Sequence, residues 1–276
     1  MALVLCQQVE TQIPIEVEGI TPERLLGKSN LEIGQTKILY GRDEVELGEL
    51  FSIAGALNAS RHLVFDGNLG CVQGIGAGQS SGTIEIETDS GRHVGSQMSG
   101  GQISSKASVS DFLGIEMTGG VIKVKGNAGD GVGGHFPGSK FGMNRGSILI
   151  GGNVGNGLGQ AMRRGTIAVG GTAGELTGWN MLAGTIMVFG ASGIDAGAGM
   201  KRGTIVLAGG LKSQLSPTFV RGGFYPVPIL NMLAGWLEQN NFFADVSSLR
   251  SSFQAFNGDL LNGGRGEIFV AERSSH

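Results

Sequence analysis

Residues 152–169 read GNVGNGLGQAMRRGTIAV, and residues 171–188 read GTAGELTGWNMLAGTIMV. The two stretches place glycine, methionine, isoleucine and valine at matching positions, one period apart. The phrase Gly-x-Ile recurs seven times between residues 82 and 207. Its anchoring glycines are Gly82, Gly101, Gly120, Gly146, Gly165, Gly184 and Gly203, at steps of 19, 19, 26, 19, 19 and 19 residues. A fixed period of this length is typical of a solenoid, in which each repeat packs on its neighbours.

The glycine spacing excludes a helical solenoid. Steps of three and four residues look like a helical stripe, but glycine occupies nearly all of that stripe, has no side chain to bury, and costs about 1 kcal/mol in a helix interior. Glycine at corners that need positive φ, followed by a short Ile-x-Val strand, fits a parallel β-helix. We therefore predict an all-β fold, a right-handed parallel β-helix of 19-residue glycine-rich coils with capping strand and helical segments.

Three columns of side chains are predicted to stack inside the coils. The first contains Ile84, Ile103, Ile122, Ile148, Ile167, Ile186 and Ile205; the second contains Ile86, Ser105, Val124, Ile150, Val169, Val188 and Leu207; the third contains Met98, Met117, Met143, Met162, Met181 and Met200, with Gln79 in the first coil. Thioethers can bind soft metals, but the strict step that the methionines keep with isoleucine and valine favours a packed core.

Three segments are predicted along the chain. Residues 1–62 form an N-terminal cap, with a strand around Ile15 and a short helix that opens at Pro22 and ends at Gly27. Residues 63–210 form the coils, beginning with an irregular coil 21 residues ahead of the next. Residues 211–276 form a C-terminal cap, with a helix carrying Leu230, Leu233, Trp236 and Leu237 and a final strand over residues 266–270.

Composition sets the outer limits. Glycine accounts for 52 of 276 residues, yet 40% of the chain is hydrophobic, which excludes collagen and disorder. A net charge of −3 gives no reason to expect nucleic acid or an anionic membrane as a partner. Two cysteines, Cys6 and Cys71, are too few for a disulfide framework. No apolar run approaches 18 residues, and residues 1–8 lack a basic region, so we expect neither a membrane span nor a signal peptide, and a cytoplasmic protein.

No pattern predicts a catalytic, cofactor or metal site. Residues 129–134 match Gly-x-Gly-x-x-Gly, but they lie inside the glycine repeat rather than in a strand–turn–helix unit. The histidines, which are His62, His93, His135 and His276, are far apart in sequence and are interpreted as isolated surface residues. Asp130, Glu175 and Asp195 are predicted at solvated corners of different coils. We therefore predict no catalytic residue and no metal ligand, and leave cofactor binding open.

Two departures from the repeat are candidate docking sites. Nine residues lie between Gly133 and Met143, seven more than between Gly159 and Met162. This insertion, residues 134–142, carries His135, Phe136, Lys140 and Phe141. Insertions in solenoids map to one face, which is often the binding face. The alternatives are a self-packed surface loop or direct contact with a small ligand.

The second departure is a pair of basic residues that recurs two coils apart. The pairs are Arg163-Arg164 and Lys201-Arg202. They either receive an acidic partner or form a solvated corner, and the sequence favours neither.

Several phrases carry a family resemblance. They are IEVEGITPERLLGK at 15–28, GAGQSSGTI at 76–84, GRHVGSQMSGG at 91–101, KGNAGDGVG at 125–133 and GAGMKRGTI at 197–205. Together with the insertion, they resemble the C subunit of formylmethanofuran dehydrogenase over nearly the whole chain. The C-terminal domain of the glutamate synthase large subunit has a similar spacing of glycines, and a free-standing accessory domain of that kind is a further alternative.

The resemblance implies a role in one of two complexes. One is a bacterial formyltransferase/hydrolase complex that moves formyl from tetrahydromethanopterin to a methanofuran-type carrier and releases formate. The other is a molybdenum or tungsten formylmethanofuran dehydrogenase. Charged residues make up 16% of the chain, without thermophile-like enrichment, which favours the bacterial branch. The resemblance implies a scaffold without an active site, beside amidohydrolase-like, dehydrogenase-B-like and formyltransferase subunits that bind the metal (zinc, or molybdenum or tungsten) and the carrier.

Overall fold

The structure, a computed structural model, describes residues 2–57, 59 and 61–271. Within those residues, the strands form one sheet of 13 strands and one of four. The helices are short except for one near the C-terminus. The all-β prediction is therefore confirmed.

The N-terminal segment adds strands to both sheets. Its elements are β1 (Leu3–Gln7), β2 (Ile15–Glu16), α1 (Pro22–Leu25), α2 (Asn30–Gly34), β3 (Lys37–Tyr40), β4 (Asp43–Glu46), α3 (Leu47–Leu50), β5 (Phe51–Gly55), β6 (His62–Gly67) and β7 (Val72–Gln73). β1 pairs with β5 and, in parallel, with β6, while β2 pairs with β3 and β7. The first two strands thus extend the stack at its N-terminal end, and the helix predicted at Pro22 is present.

Each coil contributes one strand to the large sheet. These strands are β8 (Thr83–Ile86), β9 (Gln102–Ser105), β10 (Val121–Val124), β11 (Ser147–Ile150), β12 (Thr166–Val169), β13 (Thr185–Val188) and β14 (Arg202–Leu207). Neighbours pair in parallel and in register, as in Ile148↔Ile167. β6 pairs with β8 through His62↔Thr83, which confirms the irregular first coil. A second column of parallel bridges, including Val154↔Ala173, joins the coils on another face.

The predicted interior columns are buried. Their isoleucines and methionines are fully inaccessible, and so is Gln79, which takes the methionine position in the first coil. Gln79 Nε2 donates to the Gly82 carbonyl at 3.0 Å, and Ser105 Oγ donates to the Ala107 carbonyl at 3.0 Å. Each of these two buried polar side chains thus makes a hydrogen bond inside the stack, while Gln79 Oε1 has no partner among the described residues.

The glycines and methionines recur together because they occupy the same space in successive coils. Gly165 has φ +108°, and a Cβ built on it would lie 2.8 Å from Met143 Cε in the preceding coil. A side chain at Gly165 would therefore be strained in its backbone and would displace the methionine.

Polar corners fix the register between coils. Asp130 Oδ1 accepts a hydrogen bond from the Asn156 N–H at 2.6 Å, and Asn156 Oδ1 accepts one from the Glu175 N–H at 2.8 Å. Each corner side chain thus satisfies a backbone donor of the following coil. Asp130, Glu175 and Asp195 are exposed, as predicted.

The C-terminal segment extends the sheet and covers part of its outer face. Its elements are β15 (Val220–Pro226), α4 (Pro228–Gln239), β16 (Ser252–Gly258), β17 (Arg265–Ala271) and 3₁₀ turns at Ser247–Arg250 and Leu260–Asn262. β17 pairs in parallel with β14, so the predicted final strand is confirmed, as is the helix. Leu230, Ala234 and Leu237 of α4 pack in one cluster with outward-facing residues of the last coils, Leu149, Ala168, Met187 and Val206.

Candidate docking surfaces

The insertion is a loop with a closed base. The Gly142 N–H donates to the Ala161 carbonyl at 3.0 Å, and the Met143 N–H donates to the Gly133 carbonyl at 2.9 Å. These bonds return the chain to the coil path, so the seven extra residues do not disturb the stack. A turn, closed by the Ser139 N–H on the Phe136 carbonyl at 3.0 Å, divides the loop into two halves.

The first half of the loop folds back onto earlier coils. The Phe136 ring stacks on His93 with centroids 5.5 Å apart, and His93 stacks on Phe112 at 5.1 Å. His135 lies beside Gln160, with Nε2 atoms 3.1 Å apart. This half is therefore a self-packed loop, and the interpretation of His93 and His135 as isolated surface residues is wrong.

Glu116 anchors that half. Its Oε1 accepts a hydrogen bond from the Phe136 N–H at 3.1 Å, and its Oε2 accepts one from Gln97 Nε2 at 3.1 Å. Burial alone would raise the pKa of the Glu116 carboxyl, but hydrogen bonds from Ser139, Gln97 and Phe136 hold it below its usual value. The carboxylate therefore stabilises the folded-back loop in its ionised form.

The remaining histidines have separate surroundings. His62 Nε2 lies 3.5 Å from Glu85 Oε2, and His276 lies outside the described residues. Among residues 2–57, 59 and 61–271, no three His, Cys, Asp or Glu side chains are placed to hold a metal ion. The prediction of no metal ligand remains a prediction.

A small cleft lies beside the aromatic stack. It has a volume of about 160 Å³ and is lined by Glu16, Glu18, Gln73, His93 and Phe136. Burial lowers the pKa of the His93 imidazole, and the nearby Glu18 carboxylate opposes that shift. The cleft joins the N-terminal segment, the second coil and the insertion, three regions that no sequence pattern links to one another.

The second half of the loop is exposed and meets the basic edge. Lys140 and Phe141 are exposed, and the Arg163 guanidinium carbon lies 4.9 Å from the centroid of the Phe141 ring. This distance is that of a cation–π contact. Two predicted docking features, the insertion and the first basic pair, thus form one surface.

The basic edge continues past the predicted pairs. Arg163, Arg164, Lys201 and Arg202 are all exposed, and Arg202 pairs directly with Arg265 of β17. Sequence reasoning missed Arg145 and Arg265, although each directly precedes the glycine of a Gly-x-Ile phrase, as Arg164 and Arg202 do. The period itself was the signal that could have found them.

The chain was compared with family models, curated proteins and solved structures. No protein-family model matches it. The chain is similar to the C subunit of the molybdenum-containing formylmethanofuran dehydrogenase 1 of Methanothermobacter thermautotrophicus, 40% identical over 95 residues, and to the C subunit of the tungsten-containing formylmethanofuran dehydrogenase 2 of Methanothermobacter marburgensis, 28% identical over 97 residues. Each match covers 34% of this chain, and they span 24% and 36% of those relatives.

A solved structure matches almost the whole chain. It is a chain of the formyltransferase/hydrolase complex (FhcABCD) from Methylorubrum extorquens, solved with methylofuran, at 34% identity and a TM-score of 0.90. The match covers 98% of this chain and 100% of that chain. The fold defines the chain as a protein of stacked parallel strands, and its candidate docking residues lie on the outer surface. The chain belongs to the family of formylmethanofuran dehydrogenase C subunits.

Proposed function

We propose that this chain is the non-catalytic scaffold subunit of a one-carbon complex. That complex moves formyl from tetrahydromethanopterin to a methanofuran-type carrier and hydrolyses it to formate. The observation that carries the proposal is the match along 98% of the chain to a chain of a formyltransferase/hydrolase complex. The fully buried isoleucine and methionine columns support a scaffold, because they fill the inside of the coils with side chains.

A second candidate is the C subunit of a molybdenum or tungsten formylmethanofuran dehydrogenase. The similarity to the two Methanothermobacter subunits favours it, but it extends over 34% of this chain. A free-standing glutamate synthase-like accessory domain is a third candidate, and only the spacing of the glycines supports it. The near-complete match ranks the formyltransferase/hydrolase complex first.

The proposed partners follow from the family. They are amidohydrolase-like, dehydrogenase-B-like and formyltransferase subunits in a hetero-oligomer, in the cytoplasm, without nucleic acid or membrane. Among the described residues no helix is long and apolar enough to cross a membrane. Since those residues also offer no group of three metal ligands, the proposal assigns zinc, or molybdenum or tungsten in the alternative, to the partners, together with the carrier.

The proposed architecture is a right-handed parallel β-helix over residues 63–210, capped by 1–62 and 211–276. Parallel pairing of successive strands supports it, and crossover connections between parallel strands are right-handed in about 98% of cases. The proposed docking residues are His135, Phe136, Lys140, Phe141, Arg163, Arg164, Lys201 and Arg202.

Native mass spectrometry of the untagged protein from its host tests the function. We expect one assembly that contains this chain and formyltransferase and amidohydrolase-like subunits. Association with iron–sulfur and molybdenum or tungsten subunits would favour the dehydrogenase, and association with flavin and iron–sulfur chains would favour the glutamate synthase-like domain.

The isolated chain tests the scaffold role. We expect no formyl transfer, no hydrolysis and no metal beyond trace amounts after purification of the chain alone. Stoichiometric zinc together with measurable hydrolysis by the isolated chain would contradict the proposal.

A further inference from the structure

A column of four arginines runs along one edge of the large sheet. Arg145, Arg164 and Arg202 directly precede the anchoring glycines of their coils, and Arg265 precedes Gly266, which pairs with Gly203. Parallel pairing stacks these positions one strand apart, about 4.8 Å, and Ala183 occupies the one position of the column that lacks a charge. The same position in the earlier coils holds Ser81, Gly100 and Gly119. The column is therefore confined to the C-terminal half of the stack.

The arginine column differs from two cations of the earlier coils, which are ion-paired. Each is paired with an acid one coil away: Lys106 with Glu87 at 2.7 Å, and Arg92 with Asp111 at 3.0 Å. Within the part of the chain that the structure describes, no ion pair involves an arginine of the column. Like charges placed opposite each other in a sheet are destabilising. Arg202 and Arg265 nevertheless face each other directly.

Three arginines of the column, Arg164, Arg202 and Arg265, line a groove that also contains Leu182 and Ala183. Two adjoining clefts, of about 390 and 330 Å³, share Leu182 and Arg202. Phe141 and Arg163 close the first cleft, and Lys201 and Arg265 lie along the second. The groove thus offers cations at regular intervals beside aliphatic side chains.

Asp259, three residues before Asn262 of the second cleft, is already engaged in hydrogen bonds. Asp259 accepts hydrogen bonds from the Leu261 N–H at 3.1 Å and from Asn262 Nδ2 at 3.1 Å. Burial alone would raise the pKa of Asp259, but the hydrogen bonds it accepts, with Thr218 first among their donors, hold it below its usual value. Asp259 therefore holds the turn after β16 and does not neutralise the arginines.

We infer that this groove binds an extended, acidic segment of a partner polypeptide. The arginines that line the groove, Arg164 to Arg265, span three strand steps, about 14 Å, which is the length of about four extended residues. Alternate side chains of such a segment lie on one face, where carboxylates meet guanidinium groups and apolar residues meet Leu182. A single-stranded nucleic acid fits less well, because base binding uses several stacking aromatic side chains and Phe141 is the aromatic residue that lines the groove.

This inference rests on the proposed scaffold role, and a peptide-binding experiment on the full isolated chain tests it separately. The probe is a fluorescein-labelled peptide of alternating glutamate and serine, with a glutamine-for-glutamate peptide as the neutral control. We expect anisotropy to report binding of the acidic peptide that weakens as salt rises.

Three variants make the test specific. Arg164→Ser combined with Arg202→Ser should weaken binding roughly fivefold, since it removes two exposed ion pairs. Ala183→Arg should tighten binding roughly threefold, because it fills the gap in the column. Lys28→Ser combined with Lys212→Ser removes the same charge from exposed positions elsewhere and should leave binding unchanged.

Three results would overturn the inference. They are equal binding of the acidic and neutral peptides, no difference between the two double variants, and tighter binding of an oligothymidine of matched charge than of the acidic peptide. If native mass spectrometry finds the chain in the complex while the peptide does not bind, the groove assignment fails alone. Absence of the chain from any such complex would instead contradict the proposed function.

Discussion

Single positions inside the coils decide the stability of the chain. Met162 is fully buried, and Arg163, its neighbour in sequence, is exposed. Met162→Asp would bury an unpaired charge, so we expect a loss of about 3 kcal/mol or more in the free energy of unfolding. Urea unfolding followed by circular dichroism measures it, with Arg163→Asp as the control. A Met162→Asp chain that melts within about a degree of the parent would show that the interior is assigned wrongly.

His93 links stability to pH. Burial lowers its pKa in the folded chain, so as pH falls below the unfolded value of about 6.5 the unfolded chain takes up the proton first. This contribution to stability is complete above about pH 6.5 and is lost as pH falls through the folded pKa. Glu16, Glu18, Arg92 and Asp111 are the charged groups that modulate the shift.

Removing the ring that covers His93 should reverse the effect. We expect Phe136→Ala to raise the His93 pKa toward its usual value and to flatten the pH dependence of unfolding, because the imidazole becomes solvated. NMR titration of the histidine signals measures the pKa directly. Phe141→Ala, which changes an exposed ring of the same loop, is the control. An unchanged His93 pKa in Phe136→Ala would mean that Phe136 does not bury it.

The sequence predicts the interior columns but not the aromatic stack. Columns follow from periodicity, because every coil repeats the same buried positions. His93 and Phe112 are one coil apart, but both have positive φ, where glycine is the usual residue, and no spacing signal brings Phe136 back to them. That contact depends on the conformation of the loop, which Glu116 fixes through tertiary hydrogen bonds.

At the scale of elements, the residue type at one position of each strand indicates which strands α4 covers. The residue between the two inward-facing positions is Glu85, Ser104 or Lys123 in the first strands, but Leu149, Ala168, Met187 or Val206 in the later ones. The later residues are buried under α4. The change from polar to apolar could have predicted that a helix covers the later coils, since outward apolar residues in a sheet need a packing partner.

The same position provides a matched pair of substitutions. Ala168→Glu would place a carboxylate under α4, so we expect a loss of roughly 3 kcal/mol in unfolding free energy. Ser104→Glu places the same carboxylate on the part-exposed outer face of β9, between Glu85 of β8 and Lys123 of β10. Because the attraction to Lys123 offsets the repulsion from Glu85, stability should change by about 0.5 kcal/mol or less. Denaturant unfolding compares them. Equal losses would mean that α4 does not protect this face.

The insertion shows both what a broken period can predict and where it stops. The 26-residue step located the loop and indicated an outward-facing feature. It could not separate the folded-back half around Phe136 from the exposed half around Phe141, because the division depends on a turn and on partners in other coils.

At the scale of the whole molecule, the buried core and the proposed docking surface lie in different regions. The coil interior is apolar and closed at both ends by added strands, while the exposed half of the insertion and the basic edge form one surface. Changes to that surface should therefore affect assembly and leave folding intact.

Two variants test this separation in the complex. The first variant removes seven residues from 134–142, which restores the 19-residue step. We expect the stack to stay folded, because a change of loop length alters the free energy of unfolding by only about 0.6 kcal/mol per doubling. The lost stacking of Phe136 adds to that cost. The second changes Arg163, Arg164, Lys201 and Arg202 to serine. Both should reduce recovery of the partner subunits when the chain is purified from its host, because each removes contacts that docking requires.

The control for this experiment is the Lys28→Ser and Lys212→Ser chain, which loses two charges away from the proposed surface and should assemble normally. Circular dichroism of each purified variant establishes that it is folded before recovery is compared. Reduced recovery of a folded variant assigns the loss to docking rather than to stability. Normal recovery of an active complex from both surface variants would contradict the docking proposal and would move the interface to the caps, where Trp236 and the exposed strand β15 lie.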